Sequence, residues 1–141
     1  MKFRQATDHD CALLAILNQQ LIEDEHFPNA MTASQLEARM RDWIEGDYTA
    51  MLFFEAHAIV AYAVFREEAY SIHLRQFFVQ RAERRKGIGR QAFATLRNDV
   101  WPVNKRVTVD VLLENAEAVA FWHALGFDDY YLGLQLPPRS G

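Results

Sequence analysis

The sequence predicts one α/β (α+β) domain built on a mixed, mostly antiparallel sheet with helices on both faces. Two observations predict it. Three strand-like runs rich in aromatic and β-branched residues follow one another between residues 49 and 79, and amphipathic stretches of helical period stand before and after them. At 141 residues the chain is long enough for one domain, which at this size buries about 68–70% of its unfolded surface. Residues 1–136 are expected to form that domain and 137–141 a short tail.

The elements follow in order. "FRQA" reads as a short first strand, and Thr7 with Asp10 three residues on is a capping-box signal for the first helix. Leu14, Leu17 and Leu21 are its apolar stripe. Thr32 with Gln35 repeats the signal for a second helix, with Leu36, Met40 and Trp43 on one side and an end near Gly46. The runs "TAMLFFEA", "IVAYAVFR" and "SIHLRQFFV" are strands. A third helix begins around Gly87, carries Ile88, Ala92, Leu96 and Val100 on one face, and is stopped by Trp101-Pro102. "KRVTVDVLL" alternates Val107, Val109 and Val111 as a strand. Asn115 is a good N-cap for a fourth helix, which closes at Leu125-Gly126. "FDDYYLGLQL" reads as a last strand, giving the order β-α-α-β-β-β-α-β-α-β.

Composition excludes several classes. Half of the residues are hydrophobic and 24% charged, which fits a globular protein and not a disordered one. No window approaches the ~18 consecutive apolar residues of a spanning helix, and the first ten residues lack a signal peptide's apolar core, so a cytoplasmic protein without a membrane partner is expected. Cys11 is the single cysteine, and the five histidines show no paired metal spacing, so no metal is expected. No G-x-S-x-G marks a hydrolase.

Charge is uneven. From Arg75 to Arg97 the chain holds seven basic residues and one acid, Glu83, a balance of +6; the remainder is −10, for a net −4. The cluster sits in "FFVQRAERRKGIGRQAF", where a strand ending at Val79 leads through R-x-x-G-x-G (Arg84, Gly87, Gly89) into a helix. A helix start offers unpaired amides and partial positive charge to an anion, and glycines allow close approach. Arg85, Lys86 and Arg90 add charge suited to a polyanion. The third glycine of the dinucleotide fingerprint is missing at Ala92, and the P-loop pattern is absent.

The chain resembles, over nearly its whole length, the GNAT superfamily of N-acetyltransferases. The resemblance rests on the element order, on "VQRAERRKGIGRQAF", and on "ENAEAVAFWHALGF" in the place of the family's N-x-x-A…F-Y-x-x-x-G-F. It implies acetyl-CoA as acyl donor, with its pyrophosphate on the amides of Arg84 to Gly89, Ile88 included, and its pantetheine along Phe77, Phe78 and Val79. Asn115 joins the cofactor-binding set by the same likeness, and the backbone N–H of Phe77 would face the oxyanion. Family members splay their sheet between that strand and "VTVDVLL".

Acyl transfer to an amine needs a base, because a lysine-like amine is protonated at neutral pH. Where some members carry a strand glutamate, this chain has His73. A histidine ordinarily titrates near 6.5, which suits a base, although a sheet histidine bonded to a neighbour is equally described by the pattern. Strand alternation would set His73 on one face with Arg75, Phe77 and Val79. Trp122 replaces the family's proton-donating tyrosine; an indole N–H donates a hydrogen bond but keeps its proton, so Trp122 either holds the thiol or fills the core. Tyr130 or Tyr131 would then supply a hydroxyl, one of them facing inward.

The segment between the first two helices borders the acceptor side in family members. Here it carries Glu23, Asp24, Glu25, His26 and Phe27, and with Asp128 and Asp129 it suggests an acidic mouth for a cationic amine, a small molecule or a peptide. Two other classes stay open: a non-catalytic acyl-CoA sensor, for which Trp122 argues, and a nucleic-acid module using the basic patch. The acidic remainder and the glycines speak against nucleic acid as a partner. Three tryptophans with Phe53, Phe54 and Phe65 offer enough apolar surface for a homodimer.

Overall fold

The sheet has five strands lying side by side in chain order: β1 (Lys2–Gln5), β2 (Tyr48–Glu55), β3 (Ala58–Glu67), β4 (Ser71–Val79) and β5 (Arg106–Val109). The computed structural model describes residues 1–25 and 29–140. Its helices are α1 (Cys11–Glu25), α2 (Ala33–Glu45), α3 (Ile88–Thr95) and α4 (Ala116–Ala124). All neighbouring strands pair antiparallel except β4 and β5, which are parallel. Among the described residues no helix is long and apolar enough to cross a membrane.

The chain divides into two compact units, Met1–Asp110 and Val111–Gly141. In the first, α1 and α2 cover one face of the sheet. Cys11, Leu14 and Leu17 of α1 and Met40 of α2 pack on Ala50, Leu52, Tyr62, Val64 and Phe78. The other face meets the third helix, where Trp101 stacks edge-on against Phe65 of β3 and Phe93 of α3. That helix does not stay α to its end: Leu96–Val100 form a π turn, closed by the Trp101 amide on the Leu96 carbonyl at 2.8 Å.

The helix starts follow their capping residues. Thr32 accepts from the Gln35 amide and the Gln35 side chain accepts from the Thr32 amide, at 3.2 and 2.8 Å. Before α1, Asp10 caps the Thr7 amide at 2.8 Å within a single 3-10 turn, Asp8–Asp10. Asp10 also takes a bidentate pair of hydrogen bonds from Arg4 of β1, both 2.9 Å. In the second unit, Asn115 accepts from the Ala118 amide at 3.2 Å. Gly126, at φ +101°, ends α4 in a Schellman motif, with the Phe127 amide on the Trp122 carbonyl.

Two expected strands come out differently. "KRVTVDVLL" is a strand only from Arg106 to Val109, and "FDDYYLGLQL" forms no strand. Alternation specifies which side chains share a face but provides no neighbouring ladder, and Leu132, Leu134 and Leu136 remain 70, 86 and 95% exposed.

The Arg4–Asp10 pair gives a test. The Arg4 hydrogen bonds hold the Asp10 carboxyl down from 3.8 to about 2, against a smaller opposing effect of burial. The folded-state value is depressed, so the stability is present above pH ~4 and is lost as pH falls toward 2. Allowing for the half-exposed arginine, Asp10→Asn should cost about 1–2 kcal/mol at pH 7. In urea titrations the gap from the parent should narrow below pH ~4 and close only below pH ~2.

Candidate active site

β4 carries one residue more than its partner needs. Leu74 pairs with Phe65 and Gln76 with Val64, which leaves Arg75 as a β-bulge. Paired residues share a face, so His73, Gln76 and Phe78 lie with Arg66, Val64 and Tyr62 on the α1/α2 side. Leu74, Phe77 and Val79 lie with Phe65, Ala63 and Ala61 on the opposite side. This corrects the uninterrupted alternation expected of the strand: Phe77 and Val79 do not share the face of His73. Arg75 does reach the α2 side, where its guanidinium lies over Trp43.

The bulge also ends the parallel ladder. β4 and β5 pair from Ser71 with Arg106 to Leu74 with Val109, while β4 continues to Val79 against β3. A bulge bends and twists its strand, and the two strands part directly after it. His73 stands at this parting. Its Nδ1 is 3.0 Å from Thr108 Oγ1 and its Nε2 3.7 Å from Asp110 Oδ2. The imidazole is partly buried and Asp110 mostly exposed. Neither Thr108 nor Asp110 stands out in the chain alone, where the one signal is a charged residue interrupting the valines of "VTVDV".

The basic loop is tied down by acids of α1. Arg81 binds Glu23 and Asp24 at 3.0 Å, and Arg84 binds Asp24. Arg84 also donates Nε–H to the Val79 carbonyl at 3.0 Å and lies over the Phe78 ring. Burial pushes the Asp24 carboxyl up, but hydrogen bonds from Arg84 and Arg81 win and hold it below its ordinary value. The Arg84 amide is used within the loop, on the Arg81 carbonyl at 3.3 Å, so the amides leading into α3 begin at Arg85. Arg85 and Gly87 have positive φ, +65° and +79°. Gly87 caps α3, and a Cβ built there meets no heavy atom within 4 Å: the helix start faces open space. Arg85, Lys86 and Arg90 are exposed, Gly89 half-buried and Ile88 buried.

Glu23 is exposed and engaged with Arg81; for Glu25, burial and then Asp24 raise the carboxyl. His26 and Phe27 lie outside the described residues. In the second unit, Trp122 packs edge-on between Phe121 and Phe127 at 4.9 and 5.1 Å. His123 meets Asp129 at 2.7 Å. Tyr130 stacks on Tyr131, and both are 66% exposed. Asn115 serves as the α4 cap. Among the described residues no group of three histidines, cysteines or acids could hold a metal ion.

A family model described as an acetyltransferase (GNAT) domain matches residues 7–131. The chain belongs to the GNAT acetyltransferases. It is therefore an enzyme of the acetyl-CoA-dependent N-acetyltransferase class. Solved structures share the fold. A possible acetyltransferase from Clostridium difficile 630 is 18% identical with a TM-score of 0.79, covering 99% of this chain and 98% of its own. A mutant of the BH1408 protein from Bacillus halodurans is 22% identical with a TM-score of 0.75, covering 99% and 100%. The aminoglycoside N-acetyltransferase AAC(6')-Iy, in complex with the bisubstrate analogue CoA-S-monomethyl-acetylneamine, is 17% identical with a TM-score of 0.74, covering 99% and 98%. No curated protein sequence matches the chain.

In this GNAT domain the left-handed Gly87 is a test of the loop. Gly87→Val places a β-branched residue at φ +79° and should cost about 1–3 kcal/mol in urea unfolding, with Gly87→Asn costing less.

Proposed function

We propose that this chain transfers the acetyl group of acetyl-CoA to a primary amine by direct attack, with His73 as the base and the Arg85–Arg90 turn as the pyrophosphate cradle. The observation that carries the reading is His73 at the point where β4 and β5 part. Acetyl-CoA supplies an activated thioester carbonyl. The residues present fit it: unpaired amides at the start of α3, an open approach over Gly87 and three exposed cations nearby. The edge of β4 beyond Leu74, which includes Phe77, Phe78 and Val79, would take the pantetheine arm.

The Thr108 hydroxyl can accept from His73 Nδ1–H, the tautomer that leaves Nε2 ready to take the amine's proton. Asp110, 3.7 Å from Nε2, then stabilises the imidazolium that forms. Direct attack is favoured over an acyl-enzyme because the single cysteine, Cys11, is fully buried and burial pushes its thiol up. Trp122 packs and does not donate a proton; a CoA thiolate leaves without one. Tyr130 remains a candidate hydroxyl. Of the acids expected to draw a cationic amine, Glu23 and Asp24 are already matched by Arg81 and Arg84, so the acceptor is proposed as a primary amine without a required positive charge elsewhere.

Calorimetry should show micromolar acetyl-CoA binding near one per chain, and Gly89→Val should weaken it at least ~10-fold by blocking the cradle. Undiminished affinity in the variant would remove the cradle from this turn. His73→Ala should lower kcat about 100- to 10,000-fold with the acetyl-CoA Kd unchanged. A parallel loss of both would make His73 structural.

A further inference from the structure

Three arginines face the α1/α2 side of the sheet from α2, β3 and β4, and one of them, Arg66, is matched by Glu68. Arg39 and Arg75 are not. Arg39 lies 4.5 Å from the Trp43 ring centre and Arg75 4.8 Å, so the two guanidinium carbons stand no more than roughly 9 Å apart, close enough to repel. Neither has a carboxylate within ion-pair distance among the described residues. Glu25 and Arg39 both act electrostatically on the buried Tyr62 hydroxyl, yet among the described residues Glu25 forms no ion pair with either arginine. Among the described residues Arg75 makes one side-chain hydrogen bond, a long one of 3.5 Å to the Tyr48 hydroxyl.

The buried side of the cluster is also short of acceptors. Arg39 donates Nη2–H to Asn18 Oδ1 at 3.1 Å. Among the described residues its Nε–H is buried without an acceptor, and so is the Nδ2 of Asn18, a side chain with 0% exposure. A half-buried guanidinium with one acceptor, beside a second guanidinium, leaves a strong and unmet demand for negative charge. Structural arginine pairs are ordinarily neutralised, as Arg81 and Arg84 are by Glu23 and Asp24 in this same chain.

We propose that Arg39 and Arg75, stacked over Trp43, bind the carboxylate of the acceptor, which makes the acceptor an amino-acid-like molecule carrying both a primary amine and a carboxylate. The placement joins the two ends: Arg75 lies two residues from His73, on the same side of the sheet, about 7 Å along the strand. The carboxylate would be held over the aromatic ring while the amine reaches the imidazole. This rests on the reaction proposed above and specifies its acceptor.

The experiment pairs each common L-amino acid with the amine left when its carboxylate is removed, under saturating acetyl-CoA. For the best substrates the acid member should have a kcat/KM at least ~10-fold higher, and Arg75→Gln should bring that ratio close to one by raising the acceptor KM. Equal or better turnover of the amines lacking the carboxylate overturns the proposal, as does a ratio that Arg75→Gln leaves unchanged. A second readout needs no turnover. The Nε–H resonances of Arg39 and Arg75 are followed by NMR while N-acetyl amino acids, or their methyl esters, are added. The acids should shift both signals and the esters neither; shifts with neither series, or equally with both, overturn it. Absent acetyl-CoA binding in calorimetry would instead overturn the acetyl-transfer reading, independently of the arginine signals.

Discussion

One extra residue in one strand organises this molecule. Arg75 has no partner in β3, and from that single mismatch three consequences follow. The face of β4 inverts, so His73 and Phe77 look to opposite sides of the sheet. The strand bends where its parallel ladder to β5 stops, opening the sheet beside a histidine. The arginine at the bulge itself is delivered to the α2 side, over Trp43. A regular strand of the same composition would have none of these, and its edge would be sealed against β5.

The basic loop after β4 shows how a protein keeps a concentration of like charge in order. Its two arginines nearest the sheet are spent inward, on α1 acids, the Val79 carbonyl and the Phe78 ring. Its outer members, Arg85 and Arg90, stay exposed at the helix start. Side chains thus shape the turn, while the backbone at the start of α3 faces open space at Gly87. The same charge pattern in an unpinned loop would repel itself and lose that shape.

Much of this was legible in the chain and some of it could not be. Capping residues act locally, so Thr7 with Asp10, Thr32 with Gln35, and Asn115 marked their helix starts. The boundaries of "SIHLRQFFV" also coincide with β4. The bulge was hidden because it is a property of two strands in register, and β4 alone reads as regular. For the same reason the final alternating segment looked like a strand. The Asn18–Arg39–Trp43–Arg75 group was invisible because its members come from three elements, and each alone reads as an ordinary helix or strand residue. Asp24 and Glu23 were legible as acids, but their neutralisation depends on arginines nearly sixty positions later.

The π turn before Trp101 has its own consequence. An i→i+5 closure fits one more residue into a turn than an α-helix would, and each helical residue advances the chain by about 100°. Wound as a regular α-helix with the same number of residues, Leu96–Val100 would carry Trp101 about a quarter of a circle further around the axis, away from both Phe65 and Phe93; removing one residue from the turn would restore an α-helix and leave Trp101 near its present direction. The turn thus absorbs one residue without changing the wall that Trp101 presents to the sheet's second face, and a helix shorter by that one residue would present the same wall.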